Sequence, residues 1–443
     1  MQNQGIRDAR SLGTPKLLVL GLQHMFAMFG ATVLVPALTG LSVSATLLFA
    51  GLGTLFFHFL TKGKVPAFLG SSFAYLAGYA AIAPNGEAAL LPYACVGVAA
   101  SGLLYLILAA LVRGVGANRV MRFFPPVVTG PIIICIGMTL ANSAINNCTG
   151  SWDIAQDAIL TVVIFNIWGK GMLRIIPILL GVLVSYVYAA VTGRVDFSGV
   201  ASAAWIGLPV KMENTVFSLL GNCDANLLVT AIIAIMPIAF ATMIEHIGDI
   251  CAISSTVGAN FIADPGLHRT LLGDGLATSI ASLFGAPANT TYGENTGVLA
   301  LTRVYDPLVI RLAAVYAIIA SFCPKFAALV SAMPTGTIGG VSLILYGMIS
   351  AIGVRNLVEN RVDLAKSRNV IVVSLIISLA LGITFSAAGA ITFHVGEFTL
   401  NFSGLAVAAI VGIVVNAILP GKDYDFQNDY EYGKTTEDHG QML

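Results

Sequence analysis

Residues 285–303 read GAPANTTYGENTGVLALTR, and the run Asn289 to Asn295 inside them is polar and carries a carboxylate, Glu294. The segments on either side are apolar enough to sit in lipid. Glycine, threonine and tyrosine hold a helix weakly, through backbone entropy and through side chains that compete for backbone hydrogen bonds. A helix is therefore expected to break here. A stretch of the same character, VPAFLGSSFAY, stands at 65–75: a proline, then small hydroxyl residues, then an aromatic. Broken helices at membrane depth leave N–H and C=O groups that are tolerated only where they pair or line a cavity.

Composition sets the surroundings. Of 443 residues, 57% are hydrophobic and 10% charged, with mean hydropathy +0.88. A soluble chain carries about a quarter charged residues, so this one lacks the polar surface to face water on all sides. Apolar windows of bilayer length recur from residue 17 to residue 420, which describes an all-α polytopic membrane protein. Met1 to Lys16 is polar, and no cleavable signal peptide is expected. Net charge is zero and says nothing about partners; no nucleic-acid partner is expected. The six cysteines show neither CxxC nor metal-ligand spacing; Cys95, Cys135, Cys251 and Cys323 are expected to be packing residues.

Fourteen spans are read, the first starting near Leu17, the third near Pro66, the tenth near Thr290 and the last near Phe402. Those at Pro66 and Thr290 are too short for a full crossing. With the N-terminus inside, inside segments hold Lys62, Lys64, Arg113, Arg119 and Arg122 among many others, and outside loops hold only Arg194, Lys211 and Lys325. That asymmetry puts both termini in the cytoplasm. The halves echo one another: TGPIIICIGMTLA (129–141) aligns with GGVSLILYGMISA (339–351), and Gln23-His24 of the first span has its counterpart in Glu245-His246 of the eighth. Seven spans per half is odd, so the second copy enters the membrane in the opposite direction. Inverted repeats of this kind place a transporter's site at mid-membrane between the copies.

Most carboxylates fall in loops or the tail, but Glu245, Asp249 and Glu294 lie deep in spans. An ionisable group at the bilayer centre costs about 2.5–3.5 kcal/mol on insertion scales, so it faces protein or a watery cavity. Glu245 and Asp249, four residues apart, share a helical face; His246 points about 100° around from Glu245. A purely structural network is disfavoured, because three acids without a basic partner in those spans do not neutralise one another. A metal site at EHIGD lacks the HExxH spacing and carries its histidine off the acidic face. His24 is read as a packed, hydrogen-bonded residue, and Asp274 as lying near the cytoplasmic end of the ninth span and solvated.

If the two broken stretches pair as a short antiparallel ribbon, a half-helix beyond each presents its N-terminal N–H groups to the cavity. Such a site offers backbone donors, carboxylate acceptors including Glu294, and an aromatic face at Phe73 or Tyr292. Its complement is a flat ring with alternating C=O and N–H groups, as in uracil or xanthine, rather than a sugar, an amino acid or an inorganic anion.

These residues resemble the nucleobase–ascorbate transporter family from about Leu17 to Pro420. The family signature stands here as Asn295-Thr296-Gly297 followed by Thr302-Arg303, and the preceding Glu294 is similar to the family's uracil branch; the xanthine and urate branch usually has Gln or Pro. LQHMFAMFGATVLVP (22–36), GKVPAFLGSSFAY (63–75), DPGLHR (264–269) and TTYGEN (290–295) resemble the same branch. The resemblance implies a cytoplasmic segment 1–16, a core domain from spans 1–4 (17–112) and 8–11 (225–331), and a gate domain from spans 5–7 (113–193) and 12–14 (332–420). An extracytoplasmic loop (194–224) and a cytoplasmic acidic tail (421–443) complete it. It also implies that Glu245 and Glu294 bind the pyrimidine imide and that the backbone at Phe73 and Gly293 meets its carbonyls, with Tyr292 beside them. Asp249 is a departure, because some members of the uracil branch have a proton-coupling histidine there.

The expected activity is uracil import through the cytoplasmic (inner) membrane by proton symport and alternating access, with coupling at Glu245, Asp249 and His246. A homodimer through the gate is a family-level expectation. The alternatives are a purine importer of the same fold and, less favoured by the acidic centre, an anion transporter of the same architecture. No nucleophile with a base is legible, so no enzyme is expected, and no cofactor or metal.

Overall fold

The structure is a computed structural model that describes residues 5–221, 223–395 and 398–422. It is mostly helical. Helices α1 (Thr14–Thr39) and α2 (Val43–Leu60) lead to a short strand, β1 (Leu69–Ser71), then to a half-helix, α3 (Leu76–Ile82). α4 (Leu91–Val115) and α5 (Pro126–Cys148) follow. In the second half, α6 (Ala239–Val257) and α7 (Leu267–Leu283) precede β2 (Asn289–Thr291), another half-helix, α8 (Gly293–Thr302), then α9 (Pro307–Ser321) and α10 (Thr335–Glu359).

Among the described residues, seven helices are long and apolar enough to cross a bilayer. An eighth is added if α9 and Pro324–Ser331, bent by 89° at their break, count as one. Helix length alone thus supports fewer crossings than the fourteen expected. Phe73–Ile82, Pro177–Val191 and Gly404–Ile418 are also apolar but shorter than a bilayer-spanning helix. The lipid-facing character is plain on α4, where Leu103, Ile107 and Leu111, one turn apart, are each more than half exposed. This is a multi-pass membrane protein.

The expected breaks are present. β1 and β2 pair antiparallel with Leu69 opposite Thr291, Gly70 opposite Thr290 and Ser71 opposite Asn289. The ladder continues through Ser72 N–H to Ala288 O (2.9 Å) and Tyr292 N–H to Phe68 O (3.1 Å). A two-stranded ribbon leaves its outer groups unpaired, and side chains of the flanking helices take them. Leu69 N–H donates to Thr54 Oγ1 of α2 (2.9 Å), and Thr278 Oγ1 of α7 donates to Asn289 O (2.7 Å). Ser71 Oγ donates to Thr32 O of α1 (3.0 Å), and Asn289 Nδ2 donates to Phe49 O of α2 (3.0 Å). All six strand residues are buried. Gly70 is required by close approach: a Cβ there would lie 2.5 Å from the Tyr292 ring.

The all-α expectation needs correcting at one further pair of strands, which was not expected. β3 (Ala390–Val395) and β4 (Phe398–Ser403) form an antiparallel hairpin before the helix Gly404–Ile418. The alternation in ITFHV and FTLNFS carries that signal, but apolar content in a membrane chain masks it. Cys95 and Cys135 are buried as expected, whereas Cys251 is exposed and Cys323 intermediate. The acidic tail beyond Lys422 lies outside the described residues.

Candidate functional site

A cavity opens where the ribbon ends. One wall combines Phe73, Thr290, Thr291, Tyr292 and Gly293 from the two broken stretches with Glu245 and Asp249 from α6; the facing wall is aliphatic, from Ile133 of α5 and Ile349 and Ile352 of α10. Four of the five expected substrate residues, Phe73, Glu245, Tyr292 and Gly293, therefore meet at one place. The fifth, Glu294, is the second residue of α8; its side chain lies outside the described residues.

The local chain explains each position. β1 ends in a single 3-10 turn, Phe73–Tyr75, that leads into α3. Phe73 is thereby held at the cavity edge, its ring perpendicular to that of Tyr346 on α10 (5.6 Å, 78°). Tyr292 is the residue before α8. Its hydroxyl donates to Ser71 O (2.8 Å), so the phenol locks the ribbon and only the ring and backbone are left to the cavity. Tyr292, the residue before α8, makes no side-chain cap hydrogen bond. The first N–H groups of α8 have no intrahelical acceptor and start at the cavity wall, a placement suited to a carbonyl or an anion. At Gly293 an added Cβ would lie 3.6 Å from Ile352 Cδ1 and 3.9 Å from Asp249 Oδ1, so this glycine leaves cavity space rather than avoiding a clash.

Glu245 and Asp249 are partly exposed, as their place on the cavity requires, whereas Ile244, His246, Ile247 and Ile250 beside them on α6 are buried. Thr291 Oγ1 donates to Asp249 Oδ2 (2.8 Å). A hydroxyl can donate to a carboxylate and accept from a carboxylic acid, so this contact suits either protonation state.

His246 is placed elsewhere. It has no solvent exposure and stands against Asp274 of α7, Nδ1 to Oδ2 at 3.2 Å. Asp274 is likewise fully buried, in the middle of α7 rather than near a wetted end. The expectation of a solvated Asp274 is corrected; the pattern of α7 could not show it, because Asp274 sits between two glycines that carry no periodicity.

The signature residues support the site from behind. Asn295 is buried, and its Nδ2 lies 3.3 Å from His24 Nδ1 and 3.4 Å from His24 O on α1. Thr302 Oγ1 donates to Val298 O (2.8 Å), and Arg303 closes α8 in a left-handed backbone conformation (φ 54°). The Arg303 carbonyl accepts Ile6 N–H at 2.8 Å, which fastens the N-terminal segment to the end of α8. Gly297 is exposed and a Cβ there would meet nothing within 4 Å; nothing in the structure explains its glycine. Ile133, Ile349 and Ile352 are cavity residues that the sequence did not single out. Among the described residues no three of His, Cys, Asp and Glu cluster closely enough to hold a metal ion.

Residues 15–389 match the Permease family. The chain is 41% identical over 437 residues to the uracil permease of Bacillus caldolyticus, covering 96% of each protein. It is 38% identical over 410 residues to the uracil permease of Escherichia coli (strain K12), covering 90% of each. To the putative pyrimidine permease RutG of the same strain it is 37% identical, covering 92% of this chain and 90% of that protein. These relatives are named as permeases, not enzymes. Among solved structures the chain is similar to the transmembrane domain of the cyanobacterium bicarbonate transporter BicA, with TM-score 0.64, 13% identity, and coverage of 94% of this chain and 100% of that one. It is also similar to SLC26A9, with TM-score 0.61, 12% identity, and coverage of 90% of this chain and 64% of that one. At such identity the likeness is one of fold.

Proposed function

This chain belongs to the nucleobase–ascorbate transporter family of permeases, and from that premise we propose that it imports uracil by proton symport through alternating access. The observation that carries the reading is the cavity itself: Glu245 and Asp249 beside the start of α8 and the Phe73 ring, with aliphatic lining from α5 and α10. Glu245 and Glu294 accept the two ring N–H groups of uracil, and backbone N–H groups at Phe73 and Gly293 donate to its carbonyls. Phe73 and the isoleucines exclude water from the flat faces, which strengthens each of those polar contacts. Relatives named uracil permeases, about 40% identical over most of the chain, support the substrate.

In this reading fourteen spans form two inverted repeats. The core domain (17–112 and 225–331) carries both half-helices, the gate domain (113–193 and 332–420) carries the aliphatic wall, and both termini are cytoplasmic. A homodimer forms through the gate, and the membrane is the cytoplasmic (inner) one. Coupling is electrostatic. A carboxylate is easier to take through a closed, dry state once protonated, and Asp249, hydrogen-bonded to a reversible partner in Thr291, holds that proton on the cavity face. One charge moved through 100 mV is worth about 2.3 kcal/mol, roughly fifty-fold in accumulation. The fold likeness to anion transporters does not extend to substrate: two carboxylates on the cavity wall repel an anion.

The test is labelled uracil uptake into proteoliposomes, with and without an imposed pH gradient and with xanthine as competitor. Uptake that ignores the gradient removes the symport, and xanthine displacing uracil at equal concentration removes the pyrimidine assignment.

A further inference from the structure

The cavity leaves one buried ionisable pair without a part. His246 and Asp274 have no solvent exposure and approach to 3.2 Å. Each stands near the middle of its helix. The contact is off hydrogen-bond geometry, and neither the ring nitrogens of His246 nor the carboxylate oxygens of Asp274 have another hydrogen-bond partner. What surrounds them is aromatic. Phe57 of α2 and Tyr105 of α4 meet the imidazole edge-on, at 6.3 and 6.5 Å between ring centres. Tyr75 reaches Thr242, one turn before His246 on α6, at 3.3 Å between hydroxyls. The other titratable groups nearby are Tyr75, Tyr105 and, on α6 itself, Glu245 and Asp249. Among the described residues the ion-pair partner of Asp274 is His246.

A lone carboxylate or a lone imidazolium is strongly disfavoured in such a place, so the burial of each group depends on the other standing beside it. The geometry of α6 gives the pair a purpose. Glu245 and Asp249 occupy one face and His246 a different one, about 100° away. Any rotation of α6 that turned the carboxylates out of the cavity would draw His246 off Asp274.

We propose that His246 and Asp274 form a latch between α6 and α7, a positioning pair that aims Glu245 and Asp249 into the cavity while the transported proton rides on the cavity face. The last clause rests on the symport reading; the latch does not.

The experiment uses the full chain with His246→Leu, Asp274→Leu and both together. Three quantities are read: thermal unfolding of the substrate-free protein, uracil affinity by calorimetry, and accumulation in proteoliposomes under a pH gradient. Each single variant strands one buried polar group, so it melts earlier and binds uracil roughly tenfold more weakly. The double variant recovers much of both, because replacing both partners by apolar groups leaves no buried polar group unpaired, and the shortfall from additivity measures the latch. It also still accumulates uracil in proportion to its affinity. A double variant as damaged as the sum of the singles overturns the latch. A double variant that binds normally but no longer accumulates makes the pair the carrier of the coupling proton and overturns the positioning role. Melting needs no substrate, so a wild-type protein that fails to bind uracil defeats the transport reading while the latch is still decided by the cycle of unfolding data.

Discussion

Two glycines on the ribbon side of the cavity should respond in opposite ways to one added methyl group. At Gly293 the methyl would rest 3.6 Å from Ile352 Cδ1 and 3.9 Å from Asp249 Oδ1, which is ordinary contact. The φ angle there is not positive. Gly293→Ala should therefore fold at least as well as wild type, gaining up to about 1 kcal/mol of helix propensity. The same methyl projects between the carboxylate wall and the aliphatic wall, where a ligand touching the Gly293 backbone has to sit. Forcing it aside costs about 1–3 kcal/mol, a loss of roughly five- to hundred-fold in uracil affinity. At Gly70 the methyl would meet the Tyr292 ring at 2.5 Å and Thr32 Oγ1 at 2.8 Å. The ring cannot swing away without breaking its 2.8 Å hydrogen bond to Ser71 O, so Gly70→Ala should lower the melting temperature before any ligand is added. Thermal unfolding and a calorimetric uracil titration on the two purified variants read both effects. Gly293→Ala that binds uracil within twofold of wild type would show that the ligand does not use this wall. A fully stable Gly70→Ala would refute the packing argument for the ribbon.

Glu294→Gln removes a charge-assisted acceptor and presents an amide NH₂ to a ring donor; about 1.5–3 kcal/mol, or ten- to hundred-fold in affinity, should be lost by calorimetry. Asp249→Asn should exchange labelled uracil at equal pH yet fail to concentrate it when the outside is acidic, and normal accumulation would move the proton to Glu245. Tyr292→Phe deletes the hydrogen bond to Ser71 O but keeps the ring, so melting should fall while uracil affinity stays within a few-fold. Cytosine replaces a ring N–H with an acceptor and a carbonyl with an amine. It should compete poorly with uracil uptake, since an unpaired buried polar group costs about 1–3 kcal/mol.

The membrane class, the two helix breaks and the pairing of Glu245 with Asp249 were all legible in the chain. Charge content forbids a soluble fold, GSSFA and NTTYG cannot hold a helix where water is absent, and a spacing of four fixes a shared face. Tertiary structure alone decided what that face looks toward. Helical periodicity says which side chains travel together but not which neighbour they meet. Hence His246 and Asp274, on two different helices and unremarked as a pair, turned out to stand 3.2 Å apart in the interior, and Asp274 is buried where a wetted position was expected. The same reason hid Ile133, Ile349 and Ile352, which look like any membrane-helix isoleucine until α5 and α10 close over the ribbon. The pairing of Leu69 with Thr291 likewise joins segments far apart in sequence; local composition could ask for a partner strand, but only the packing of α1, α2 and α7 around the ribbon supplied the hydrogen-bond partners that hold it.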